Sequence, residues 1–185
     1  MASNTVQTKD GRLTLASGIF GHLSESSVIC NVGGSVVHAA LNAARAQNPS
    51  EAFLPLTVDY RARQYAFGLI PGSRQRREAH GSADEILVSR FIDRAVRPLF
   101  PKGYVNEVQL TLTNHAADGI YDPTVAAVNA ASLALMHSKQ PWNGPIGCVR
   151  IGCIDGVLKV DPTLKEMETS TLDFLYAGTE SRTLM

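Results

Sequence analysis

The sequence predicts an α+β domain in which a mixed β-sheet is packed with helices. Three observations carry this. Seven short segments of β-branched or alternating character run along the 185 residues, two longer segments carry helix start and stop signals, and the two kinds are interspersed. The composition, 44% hydrophobic and 18% charged, is that of a chain able to bury a core. No apolar run reaches the roughly 20 residues that a membrane-crossing helix needs.

In chain order, residues 1–10 read as a flexible N-terminus. "RLTLAS" alternates from Arg12, and "SSVICNV" from Ser26 is β-branched. "GSVVHAAL" follows a Gly33-Gly34 turn, so it forms a hairpin with the strand before it. "FLPLTVDY" (53–60) is the next strand. Residues 82–97 form a helix: Ser82 and Glu85 stand in capping-box spacing, Ile86, Leu87, Phe91 and Ile92 turn inward, and Pro98 ends it. "EVQLTLTN" (107–114) is a strand. Residues 122–137 form a second helix, with an Asp cap, Pro123 at the first helical position, and enough alanine to pack closely on a sheet. "IGCVRIGCI" (146–154) and "TLDFLYAG" (171–178) complete the strands, and the stop at Met185 straight after them reads as a fragment.

The usual chemical signatures do not stand out. Cys30, Cys148 and Cys153 are odd in number and lack metal-type spacing, so they read as small buried hydrophobes of a reducing compartment. His22, His38, His115 and His137 are scattered and read as structural or surface residues, while His80 lies in a basic loop. "NVGGS" lacks the Lys-Ser/Thr of a P-loop and the order of a dinucleotide-binding turn. Asp118 and Asp155, each before a glycine or near one, read as turn residues.

Charge is where the chain is unusual. Its net charge is zero, yet between Arg61 and Lys102 nine basic residues face four acids, a local excess of five. Such a block in a neutral chain points to a locally held anionic partner, and arginine, which dominates it, suits phosphate oxygens. Arg90, Arg94 and Arg97 fall at i, i+4 and i+7 and share one helix face, with no acid expected at the same phase because Asp93 neighbours Arg94. Arg74, Arg76 and Arg77 crowd a Gly/Ser turn ahead of that helix. A solvated face balanced by Asp93 and Glu85 is the competing reading.

Four segments, "FLPLTVDYRARQYAFGLIPGS", "EILVSRFIDRAVRPLFPKGYVNEVQ", "DGIYDPTVAAVNAASLAL" and "PWNGPIGCVRIGCIDG", resemble the polynucleotide phosphorylase family in order and spacing. The match is to its first ribonuclease PH-like core domain and runs over residues 11–185. The resemblance implies a 3′-to-5′ phosphorolytic exoribonuclease that releases nucleoside diphosphates and can run in reverse. It implies a homotrimer around a single-stranded RNA channel, with inorganic phosphate and Mg2+ or Mn2+ bound in a second core domain outside this chain. No catalytic and no metal-binding residue is then expected here. The implied RNA-contacting residues are Arg74, Gln75, Arg76, Arg77, His80, Arg90, Arg94 and Arg97. The family's loop typically reads Gly-Ser-Phe-Phe-Arg-Arg-Glu, and here Arg74 and Gln75 replace the two aromatics, favouring phosphate contacts over base stacking. The stretch after Pro162 is similar to mitochondrial, animal-type members, which implies a mitochondrial location, or a cytoplasmic one were the chain bacterial. Two alternatives stay open: a stand-alone, non-catalytic RNA-binding or assembly protein, and a small independent exoribonuclease.

Overall fold

The computed structural model describes residues 4–9, 11–45, 53–72, 78 and 81–185. Strands β1 (Asn4–Gln7), β2 (Leu13–Ser17), β3 (Ser26–Val32), β4 (Ser35–Ala44), β5 (Leu56–Ala62) and β6 (Glu107–Ala116) form one sheet in the order β1-β2-β3-β4-β6-β5. All neighbours are antiparallel except β5 and β6, which are parallel. The sheet is therefore mixed, because helix α1 (Ala83–Val96) carries the chain across from β5 to β6. A second, three-stranded sheet has the order β8-β7-β9, from β7 (Gly147–Ile154), β8 (Val157–Val160) and β9 (Asp173–Gly178).

The core follows from alternation. Val37, Ala39 and Leu41 on β4 and Leu110 and Leu112 on β6 are wholly buried on one face. Helix α2 (Pro123–His137) lies over them, and Ala126, Ala127, Ala130, Ala131 and Ala134 are fully buried because side chains this small let the helix approach the sheet. Its other side meets β7, where the Asn129 amide donates to the Cys148 carbonyl at 3.1 Å and accepts from the Cys148 N–H at 3.0 Å. β8 pairs β7 only over residues 151–154, so Asn129 satisfies backbone groups that β8 does not reach.

Several expectations need correction. Asn4–Gln7 is an edge strand on β2, where a flexible N-terminus is expected. β5 starts at Leu56, because Pro55 cannot donate to a ladder. β8 is a strand that the sequence reading lacks; the turn expected at Asp155 is present and joins it to β7, with Asp155 and Gly156 both at positive φ, 51° and 77°. Ile86 and Leu87 do not turn inward; they are 52% and 63% exposed. The stripe of α1 against β5 is Glu85–Ser89–Ile92–Val96, a 4-3-4 spacing that leaves Ile86 and Leu87 off it. Polar residues head this stripe for a reason. β5 is an edge strand with unpaired N–H groups, and Glu85 accepts from the Ala62 N–H at 2.7 Å while Ser89 accepts from the Tyr60 N–H at 3.0 Å.

Candidate functional site

The capping box expected at Ser82 is present: the Ser82 hydroxyl accepts from the Glu85 N–H at 3.2 Å, and the Glu85 carboxylate accepts from the Ser82 N–H at 2.6 Å. Glu85 thus starts the helix with one oxygen and ties it to β5 with the other. This fixes the rotation of α1 and with it the direction of its arginines.

The three helix arginines do not share one environment. Arg97 is turned back onto the chain. Its Nε and Nη2 donate to Asp93 at 3.1 and 2.7 Å, and Nη1 and Nη2 donate to the carbonyls of Leu54 and Leu56 at 2.9 and 3.2 Å. The guanidinium lies 5.0 Å from the centroid of the Phe53 ring. The expectation that Asp93 lies out of phase is therefore corrected: counted from Arg97 it is the i−4 residue, which is the ion-pair spacing. Arg90 and Arg94 are exposed and line a cleft of about 480 Å³ with Phe91, Leu175 and Met185. Among the described residues no carboxylate pairs with either of them.

The floor of this cleft holds a cluster absent from the expectations. Arg150 on β7 donates from Nε and Nη2 to Asp173 at 2.8 and 2.7 Å, and from Nη1 to Asp122, the cap of α2, at 2.7 Å. The Asp173 hydrogen bonds raise the guanidinium further above its usual value, and the same bonds hold the Asp173 carboxyl below the ordinary range. Arg150 offsets only one of the two acids it holds, so the side chains lining the cleft are three arginines against two aspartates, a net excess of one positive charge. Only the fold brings 122, 150 and 173 together, so local sequence patterns carry no signal for it. Arg150 also borders a larger cavity of about 820 Å³ between β2, α2 and the second sheet, which Arg12, Cys148 and Tyr176 line as well.

Arg74, Gln75, Arg76, Arg77 and His80 lie outside the described residues. Glu78, which closes that basic loop, accepts from the Gln64 N–H at 2.7 Å and lies 3.6 Å from Arg63. Asp118 is the turn residue expected of it: it accepts from the Gly34 N–H at 2.8 Å and the Ile120 N–H at 2.8 Å. Burial pushes its carboxyl up, but these N–H groups, that of Tyr121 and the Ser35 hydroxyl outweigh burial and hold it below the usual range. Among the described residues no group of three or more His, Cys, Asp or Glu is placed to hold a metal ion.

Residues 12–141 match the model of the 3′ exoribonuclease family, domain 1, and residues 144–185 match that of the same family's domain 2. Where one domain over 11–185 is expected, the two matches meet just before the three-stranded sheet. The chain is 42% identical to polyribonucleotide nucleotidyltransferase 2, mitochondrial, of Arabidopsis thaliana, over 94% of this chain and 17% of the relative. It is 42% identical to polyribonucleotide nucleotidyltransferase of Herpetosiphon aurantiacus, over 99% of this chain and 24% of the relative. The Rhizobium meliloti protein of that name is 43% identical over 94% and 24%. The chain therefore spans about a sixth to a quarter of the length of these relatives, and a mitochondrial plant protein and bacterial ones are equally similar to it. Its fold matches that of rice (Oryza sativa) Rrp46 with a TM-score of 0.74 at 14% identity, covering 94% of this chain and 78% of the other.

Proposed function

The chain belongs to the 3′ exoribonuclease family, and from that premise we propose that it supplies the RNA-guiding part of a 3′-to-5′ phosphorolytic exoribonuclease. In that reaction an oxygen of inorganic phosphate attacks the terminal phosphodiester phosphorus and the bond to the preceding 3′-oxygen breaks. A nucleoside diphosphate leaves, and the shortened RNA keeps a 3′-hydroxyl. The likeness to the polyribonucleotide nucleotidyltransferases supports this reading. The observation that carries this chain's share of it is the pair Arg90 and Arg94, exposed and without a carboxylate partner among the described residues, over a cleft lined by three arginines against two aspartates. Two guanidinium groups one helical turn apart suit successive phosphates of a single strand. Arg76 and Arg77 of the preceding loop, with Arg74, Gln75 and His80, belong to the same proposed path, in a homotrimer of the whole protein. Arg97 serves it indirectly, by holding α1 to β5.

Phosphate and the divalent ion belong, on this reading, to another part of the enzyme. The described residues gather no donor set that fits the metal. The chain alone then releases no ADP from poly(A) with phosphate and magnesium, and phosphate-dependent release would show an independent exoribonuclease instead. The test of the RNA path is poly(U) affinity across a salt series for the wild type and the Arg90→Ala/Arg94→Ala variant. Each lost phosphate contact lowers the log–log slope by about 0.7. An unchanged slope at unchanged stability removes the helix arginines from the path.

A further inference from the structure

The face of the six-stranded sheet opposite α2 carries a row of four rings. His38 sits between Val37 and Ala39, both buried under α2, so alternation turns it to the other face. In the β4–β6 register His38 pairs with Thr113, which makes His115 its diagonal neighbour on the same face. Phe20 reaches His38 from the β2–β3 connection, and Tyr65 reaches His115 from the single 3-10 turn Gln64–Phe67 that follows β5. Centroid separations along the row are 6.3, 5.8 and 6.4 Å; the His38–His115 and His115–Tyr65 planes are 34° and 30° apart, while Phe20 stands edge-on to His38 at 80°.

Hydrogen bonds hold the rings in this arrangement. The Tyr65 hydroxyl and His115 Nδ1 are 2.9 Å apart. An imidazole nitrogen bonds in the plane of its ring, so Tyr65 and His115 meet edge to edge and present one broad surface. His38 Nε2 is 2.8 Å from the Ser27 hydroxyl, which fixes the third ring. Phe20 and Tyr65 remain 57% and 54% exposed, His115 is exposed and His38 half-buried. Burial, and then the neighbouring His115, lower the pKa of His38 and favour its uncharged form.

We propose that His38, His115 and Tyr65, bounded by the edge-on ring of Phe20, form a stacking platform for the bases of single-stranded RNA, on the sheet face opposite the helices. Flat rings held in place at a surface are what base stacking requires, and stacking tolerates any base because each has a π-face. The choice of single-stranded RNA over a protein partner follows from the chain's membership of the 3′ exoribonuclease family. The platform rests on the RNA-acting reading above, yet it uses none of the arginines of α1, which packs on the other side of the sheet.

The test is binding of labelled oligo(A), and of an abasic strand of the same length, to the 185-residue chain. Tyr65→Ala and His115→Ala each weaken oligo(A) binding about 5- to 150-fold, the range for loss of one stacked base. Tyr65→Phe keeps the ring but loses the bond to His115, so it weakens oligo(A) binding less than Tyr65→Ala does, and the abasic strand binds all forms alike. In the wild type, oligo(A) moves the His38 and His115 imidazole proton signals upfield through the ring current of the stacked base; this readout decides the matter should a variant fail to fold. Affinity within twofold of wild type in both alanine variants, stationary imidazole signals, or no measurable binding by the wild type overturns the platform. Intact ring variants combined with a lowered salt slope in Arg90→Ala/Arg94→Ala would overturn the platform alone and leave the arginine path standing.

Discussion

Arg97→Ala separates a structural arginine from an RNA-contacting one. The substitution removes two hydrogen bonds from a charged donor to the Leu54 and Leu56 carbonyls, the ion pair to Asp93 and the contact with Phe53. Hydrogen bonds to charged groups contribute about 1.5–3 kcal/mol each. A partly exposed ion pair contributes about 0.2–1 kcal/mol. All draw on one side chain that stays 29% exposed, so water replaces part of what is lost. The combined effect is about 2–3 kcal/mol, below the sum of its parts. For a domain of this size that lowers the thermal midpoint by about 4–12 °C. Arg94→Ala, which touches none of these partners, moves the midpoint by less than about 0.5 kcal/mol equivalent but lowers the salt slope of poly(U) binding by about 0.7. Differential scanning calorimetry and the salt series on both variants give a crossed pattern. A wild-type midpoint for Arg97→Ala, together with a reduced salt slope, would falsify this assignment and return Arg97 to the RNA path.

Three further outcomes can be measured on the same chain. Burial pushes the Cys30 and Cys148 thiols up to about 12, so native iodoacetamide labelling counted by mass spectrometry finds only the half-buried Cys153, and all three react once unfolded; rapid labelling of Cys30 would contradict the packing under α2. His38 is held below its ordinary 6.5 by burial and His115, so the unfolded chain binds the proton more readily; its contribution is complete above pH 6.5 and stability falls as pH drops below that value, a decline that His38→Gln reduces in urea titrations at pH 5 and 7. Gly33→Ala destabilises by about 2–3 kcal/mol, because φ is +58° and the added Cβ would stand 2.8 Å from the Asp118 carboxylate that holds the turn; a shift below 0.5 kcal/mol would mean that the turn relaxes freely.

Legibility in the sequence followed the range of the interaction. The start of α1 is readable because Ser82 and Glu85 are three residues apart, and the β3–β4 hairpin because its turn is two glycines. The Asp155-Gly156 turn was equally local, and "VLKV" after it is the strand that this signal would have located. The Asp93–Arg97 pair was also within reach, since i,i+4 spacing is local; measuring phase from Arg94 hid it. His38 and His115 meet only through the β4–β6 register, and Arg150 reaches Asp122 and Asp173 only because the second sheet packs on α2. Pairs separated by 23 to 77 residues leave no periodicity to detect.

Which arginines of α1 face the cleft is decided by an edge strand. β5 ends the sheet, and its Tyr60 and Ala62 N–H groups lack a neighbouring strand. Glu85 and Ser89 satisfy them, and two such bonds four residues apart fix the rotation of the helix as well as its position. Given that rotation, Arg97 must fall over the entry to β5, where the Leu54 and Leu56 carbonyls and Asp93 take it up. Arg90 and Arg94 must fall toward β9 and the Arg150 cluster. An apolar stripe could have anchored α1 with similar strength, but it would tolerate slippage and leave two donors of β5 unpaired. The polar head of the helix thus converts the exposed edge of the sheet into a means of aiming two charges.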